Sequence, residues 1–247
     1  MMRPDLTIVP HTAQMALLGK AAMLLSFDVV EEAIPEHDEW HTHEHLPERL
    51  AIPGFVRGTR WVALRQGPRY FVMYEVEQLA TLASDAYLER LNNPSPWTSS
   101  MMPSYRGMFR GFCSVSGSFG VGLGHVGLLI RFKPSTGTEP SLRTWLLGDT
   151  LAKLPSKPGI GSAHLFEGAL TPRMTNEQRI RGVDASVDWA LFVTGYGHEE
   201  LASLSQSGLA DARLEEQGAA GVRSAMYRLD YALTDREAGL ATKSPCR

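Results

Sequence analysis

Apolar residues run along this chain in two rhythms, one of strand type and one of helix type, and the order in which they alternate occurs twice. Ala22 to Val30 is a nearly unbroken apolar run of strand length. Ile34 to about Leu46 has helical spacing, with Pro35 near its start, where a missing N–H costs little. Pro47 is expected to end or kink that helix. Gly54 to Leu64 and Tyr70 to Glu77 read as strands joined by a turn at Gln66-Gly67-Pro68, Leu79 to Leu91 as a helix, and Tyr105 to Val115 as a last strand. The second pass predicts strands over Gly127 to Phe132, Gly159 to Leu170, Val187 to Tyr196 and Val222 to Leu233. Its helices fall at Ser141 to Leu154 and Glu199 to Glu216. The polar loop between its middle strands, TPRMTNEQRIRGVDAS, is expected to be exposed.

The repetition extends to single residues. Shifting the chain on itself by 105 residues lays Met23–Trp61 on Leu128–Phe166 without a gap, pairing Leu24 with Leu129, Phe27 with Phe132, Pro35 with Pro140, Trp40 with Trp145, Leu46 with Leu151, Pro53 with Pro158 and Gly54 with Gly159. Further on, Tyr74 falls on Tyr196 and Met108-Phe109-Arg110 on Met226-Tyr227-Arg228. Each copy is therefore a βαββαβ unit, the ferredoxin-like arrangement, in which two helices cover one face of a four-stranded antiparallel sheet. The other face needs a lid, and two units in one chain can pack sheet to sheet. The predicted class is α+β. Residues 1–20 form an N-terminal arm, 21–118 the first unit, 119–124 a Gly-rich linker, 125–233 the second unit and 234–247 a disordered tail.

Composition narrows the function. A formal net charge of −3 lacks the basic excess with which proteins hold nucleic acid. Two cysteines, Cys113 and Cys246, make neither a disulfide framework nor a CxxC site. Lys20 interrupts the apolar stretch near the start, and no apolar run approaches ~18 residues, so a cytoplasmic protein without membrane spans is expected. Gly122-Leu123-Gly124-His125-Val126-Gly127 spells GxGxxG but precedes a strand instead of opening a helix, which argues against a dinucleotide site.

The two copies part company at the first helix. His37, His41, His43 and His45, half of the eight histidines, stand where the second copy has Leu142, Leu146, Gly148 and Thr150. On an ideal helix Trp40, His43, Leu46 and Leu50 share one arc, while His37, His41 and His45 lie about 60°, 100° and 140° away. If Trp40 faces the sheet, so does His43, and His45 turns inward only where the helix ends. Neutral imidazoles suit general acid/base chemistry, and Glu44 stands ready to orient one of them. The i, i+4 spacing of His37, His41 and His45 also admits a metal, but on a face expected to be outward and without a second ligand cluster. Solvated surface histidines are the plain alternative.

The run Glu44 to Trp61, with His45-Leu46-Pro47, Pro53-Gly54-Phe55 and Arg60-Trp61, resembles the EthD-like branch of the dimeric α+β barrel superfamily. The resemblance implies an intrachain barrel built from a tandem fusion, a pocket between sheet and helices, a small apolar or aromatic substrate, and chemistry without a cofactor. It carries over His45 as the acid/base residue and Arg60 as an anion or carbonyl anchor, and the pairing of Tyr74 with Tyr196 assigns Tyr74 to packing. The reading is a lyase or isomerase of the dehydratase, decarboxylase or cyclase kind, using His45, His43, His41, Glu44 and Arg60. The alternatives are a noncatalytic ligand-binding or assembly protein, or a haem-binding member. The expected partner is a small-molecule substrate, with neither nucleic acid nor membrane, and a homodimer of fused barrels is compatible.

Overall fold

Strands whose two faces are both covered are mostly apolar, and β1 (Ala21–Val29), β3 (Tyr70–Val76), β5 (Val126–Pro134) and β8 (Trp189–Gly195) are so, with Ser26, Asp28, Glu75, Arg131, Lys133 and Thr194 as their polar or charged members. The computed structural model of the chain describes residues 16–170, 174–182 and 184–241. The remaining strands are β2 (Phe55–Arg65), β4 (Tyr105–Gly120), β6 (Ile160–Leu170), the two-residue β7 (Ala185–Ser186) and β9 (Ala219–Thr234). In the first half the order is β4-β1-β3-β2, in the second β9-β5-β8-β6, and β2 pairs with β9 while β4 pairs with β6. The result is a closed eight-stranded antiparallel barrel. β7 adds to β4 in parallel outside the ring.

Closure comes from two strands longer than expected. β4 and β9 each run for 16 residues. β4 pairs with β1 over its first part and with β6 from Phe112 to Gly120, and β9 pairs with β5 and then with β2. Residues 119 and 120, expected to belong to the Gly-rich linker, are therefore strand, and the strand expected to end at Val115 continues through 116–118. Barrel closure removes the exposed edges that two separate sheets would present.

Alternation along each strand divides the core into three. Leu24, Trp61, Phe71 and Met73 point into the lumen with Leu129, Phe166 and Phe192, and Trp61 and Phe71 both meet Phe192 edge to face at 5.0 Å. The lumen is filled. Met23, Phe27, Tyr74 and Phe112 face the helices of the first half; Leu128, Leu165, Leu191 and Val193 face those of the second.

The outer helices of the first half are α1 (Ile34–Trp40), α2 (Leu46–Leu50), α3 (Asp85–Asn92) and α4 (Pro96–Met101). Those of the second are α5 (Glu139–Thr144), α6 (Asn176–Arg181), α7 (His198–Gln206), α8 (Asp211–Glu216) and α9 (Asp235–Ala241). Pro47 does not end the first helix. A π-helical segment, His41–His45, joins α1 to α2, and Pro47 sits in the first turn of α2, where its missing N–H is tolerated. A second π segment, Trp145–Thr150, follows α5 at the matching place with no proline beside it. The wide turn therefore belongs to the way each helix lies on its sheet, not to Pro47.

Two expectations are corrected. The described part of the polar loop of the second half is only partly exposed: it holds α6, in which Glu177 and Gln178 are buried behind the Thr175 cap while Arg179 and Ile180 are exposed. Residues 235–241 of the expected tail form α9, whose Ala238 packs into the core of the first half. Residues 1–15 of the arm, 171–173 and 183 of the polar loop, and 242–247 of the tail lie outside the described residues. Among the described residues no helix is long and apolar enough to cross a membrane.

Candidate functional site

The wide turn decides which histidines face the sheet. In an α-helix four residues overshoot a full turn by about 40°, so a stripe at i, i+4, i+8 drifts around the axis. A stretch with i→i+5 bonding takes up that drift. Leu46 N–H reaches back to the His41 carbonyl, and the stripe His37, His41, His45, Arg49 stays on the buried side with Trp40. His43 is rotated out: its side chain is 67% exposed and pairs with Glu39 at 3.3 Å. The expectation of an inward His43 and outward His37 and His41 is reversed, because the wheel assumed a uniform α-helix.

The buried rings form a column. His37 and His41 have centroids 5.5 Å apart, His41 and His45 5.6 Å, and His45 lies 4.3 Å from Trp40. At the outer end, Asp38 accepts from Tyr70 O–H at 2.8 Å and lies 3.2 Å from His37 Nδ1. Burial opposes the Asp38 charge, yet the bonds from His37 and Tyr70 hold its carboxyl below the usual range. As an ionised acceptor it places the proton on His37 Nδ1, leaving Nε2 to receive Tyr105 O–H at 3.4 Å. Tyr74 O–H lies 3.5 Å from His41 Nε2. The Nδ1 atoms of His41 and His45 are buried and have no hydrogen-bond partner.

Burial lowers the pKa of all three rings, with the Asp38 contact working against the drop at His37. It takes His41 and His45 well below the ordinary value, helped by His37 and Arg60 at His41 and by Arg49 at His45. Tyr74 and Tyr105 are pushed up by the same burial. At neutral pH the column is uncharged.

A cavity of about 30 Å³, room for about two waters, lies under this column. Met23, Tyr74 and Met108 belong to its sheet side, His41, His45 and Arg49 to its helix side, and Glu177 and Arg181 of α6 complete the lining. The second half therefore contributes to the site of the first. Arg49 and Glu177 form a buried ion pair between residues 128 apart in the chain. Glu177 raises the pKa of Arg49 against the effect of burial. Asn176 bonds to the end of α3 through the Asn92 carbonyl, and Arg181 grips Asp184 with two N–H groups. An apolar pocket of about 160 Å³ adjoins, lined by Tyr87, Leu88, Leu91, Phe112 and Leu170, and Arg110 lines both hollows.

Two expected site residues hold the scaffold instead. Arg60 donates to Asp230 at 2.8 Å, to the Asp38 carbonyl at 3.1 Å and to Thr42 Oγ1 at 3.0 Å, which pins the π segment to β9, and it does not line the cavity. Glu44 accepts from Trp40 Nε1, Ser95 and Thr98, tying the helix to α4, and orients no imidazole. Tyr74 is not equivalent to Tyr196, which is exposed. Across the ladder Met23 faces Tyr74 and its counterpart Leu128 faces Val193. In the same way Val29 faces Tyr105 and Pro134 faces Ala219. The polar members His37, His41, Arg49, Tyr74 and Tyr105 thus stand where the second half buries Leu142, Leu146, Leu154, Val193 and Ala219. Sequence reading missed Arg49, Tyr105, Arg110 and Glu177; only Arg49 left a signal, as the next member of the i, i+4 stripe.

Among the described residues no three His, Cys, Asp or Glu side chains converge in a metal-holding group. A haem does not fit the residues as they pack, since both hollows fall well below the ~300–1,000 Å³ of ordinary ligand sites.

No protein-family model matches the sequence, and no curated protein matches it. Solved structures do. An anthrone oxidase-like protein superposes over 91% of this chain and 97% of its own with a TM-score of 0.63 at 12% identity. A monooxygenase-like protein from Fusobacterium nucleatum covers 88% and 96% with a TM-score of 0.57 at 7% identity. Another from Lactobacillus acidophilus covers 87% and 96% with a TM-score of 0.54 at 10% identity. The chain has the dimeric α+β barrel fold. At these identities the likeness is one of fold, and function rests on the site.

Proposed function

We propose that the protein is a small-molecule enzyme of lyase or isomerase type in which His41 and His45 move a proton on a compact, mainly apolar substrate about the size of one aromatic ring. The observation that carries this reading is the pair of buried imidazoles, each with a free Nδ1, lining a cavity on a helix face where the second half buries Leu142, Leu146 and Leu154. A folded core has no use for such groups, because a buried nitrogen without a partner costs about 1–3 kcal/mol. A substrate entering by the apolar pocket brings a C–H or O–H acid to a neutral imidazole, which takes the proton. Arg49 lies on the same wall and stabilises the anion so formed, and Tyr74 holds His41 through its Nε2. Returning the proton to a different atom gives an isomerase; losing a leaving group from the anion gives a lyase. The proteins of like fold are named for oxidations, and deprotonation of a carbon acid would serve that chemistry too.

In this reading the two halves are tandem ferredoxin-like copies of the EthD-like kind. Matching strand orders and the 105-residue register support it. Only the first copy keeps proton-handling residues.

The test begins with a screen for metabolites that raise the thermal stability of the protein, since a ligand stabilises the native state it binds. Ligands found in this way are incubated with the enzyme in D2O, and deuterium uptake is read by mass spectrometry. Uptake by the wild type that disappears in His41→Leu and His45→Gln and persists in His43→Ala is the expected result. Ligands that bind without exchange or turnover would leave a binding protein and refute the enzyme.

A further inference from the structure

Among the described residues, charge around the cavity does not balance. Arg49, Arg90, Arg110 and Arg181 share three carboxylates, Glu48, Glu177 and Asp184. Glu48 lies 3.7 Å from Arg49 but 2.7 Å from Arg90, and Asp184 is held by both arms of Arg181. One positive charge is left over. Two buried donors are left over with it, Arg49 Nη1 and Arg110 Nε, neither of which makes a hydrogen bond. Arg110 Nε is 3.0 Å from Asp184 Oδ2, an ion pair in which the N–H is not aligned on the oxygen, while Nη2 donates to Gln178. Both side chains are at most 3% exposed, and both line the inner cavity. A guanidinium does not deprotonate, so neither group can shed its charge to suit its surroundings. Water in the cavity can meet the two donors, but only an anionic acceptor brought by a ligand would also offset the unmatched charge.

The apolar pocket beside Arg110 sets what the rest of that ligand is. Leu88, Leu91, Phe112 and Leu170 offer hydrocarbon contact and no charge besides Arg110 itself. We infer that the site takes a small aromatic or unsaturated acid, a carboxylate or an acidic phenol, with its anionic oxygen facing Arg49 and Arg110 and its apolar body in the pocket under α3. The inference rests on reading this cavity as the functional site and adds the charge of the substrate to it. It also bears on the histidines. Arg49 and Arg181 are among the charges that depress His45, so a bound anion offsets their field and makes that ring a better proton acceptor.

Calorimetric titration of the wild type with benzoate and cinnamate against benzamide and cinnamamide tests the charge alone, because each amide keeps the shape of its acid. The acids are expected to bind at least about tenfold more tightly, and Arg110→Gln to remove most of that preference while changing amide binding less than about twofold. 4-Nitrophenol gives a second readout that needs no variant: its yellow phenolate form should be favoured on the protein, lowering its apparent pKa. Amides binding as well as acids, no acid binding at millimolar concentration, or a bound dye that stays protonated would overturn the inference. His41→Leu separates the two readings. It should keep the preference for acids after proton transfer is gone, and a wild type that prefers acids but exchanges no deuterium refutes the catalytic reading alone.

Discussion

His41 and His45 each keep a ring nitrogen buried without a partner, and that single atom links stability to chemistry. Leucine occupies the position matching His41 in the second half, at Leu146, and packs there without exposure. His41→Leu should therefore raise stability by about 1–2 kcal/mol in urea unfolding, since it removes an orphaned polar group, while abolishing proton transfer. A loss of stability would mean that the ring is satisfied by something it bonds in solution. The same burial makes stability depend on acid. His37, His41, His45 and His164 all have folded pKa values below the ordinary 6.5, and His164, between Ser118 and Ser162 in the barrel, is pushed down to about 3. A depressed histidine contributes its full share of stability above the unfolded value, because there neither state is protonated. As pH falls below 6.5 the unfolded chain takes up protons that the fold refuses, so stability drops by up to about 1.4 kcal/mol per pH unit for each ring. Urea midpoints should fall steadily between pH 7 and pH 4, and the slope should be shallower in His164→Gln. A midpoint flat over that range would contradict the burial of these rings.

The stripe 37, 41, 45 was legible as an i, i+4 pattern, whereas its continuation to Arg49 and its direction were not. A helical wheel has one angle per residue, and the five residues His41–His45 do not obey it. Tertiary packing sets that segment, as the second π turn after Trp145 indicates, and no local propensity announces it. The places of the main strands, the helical stretches between them and the Pro-Gly turns into β2 and β6 could be read because alternation, apolar periodicity and turn residues are local, whereas the full length of β4 and the break between α7 and α8 could not. Helices α4, α6 and α9 could not, being six or seven residues long and held by partners far away in the chain. Arg60 shows the same limit. Its place beside Trp61 suggested a ligand anchor, whereas its guanidinium spans β9 and the π turn. Arg60→Lys keeps the charge and loses the planar fork that reaches three acceptors. It should lower the rate of deuterium exchange several-fold and leave ligand affinity within about twofold, because the helix loses its register while the cavity keeps its donors. An affinity loss equal to the rate loss would restore Arg60 as an anchor.

At the scale of the molecule, the two halves are unequal in what they bury and joined in how they bury it. The second half fills the space beneath its helices with Leu142, Leu146 and Leu154, while the first places histidines and an arginine there. Repetition was visible in sequence; the dependence of one half on the other was not, since nothing local in NEQRIRG marks Glu177 as the partner of an arginine 128 residues earlier. Breaking a buried ion pair on one side leaves an uncompensated charge, which costs about 3–5 kcal/mol, whereas replacing both partners with apolar groups is often neutral. Glu177→Leu alone and Arg49→Leu alone should each destabilise by that order, and the double variant should recover most of the loss, Leu154 showing that a leucine is accommodated at the position matching Arg49. Activity should not recover with it, because the double variant has rebuilt the first half in the image of the second. Additive losses in the double-mutant cycle would mean that the pair does not hold α6 to the first half. A stable double variant that still exchanged protons would mean that the cavity works without the ion pair that ties α6 to the imidazole stripe.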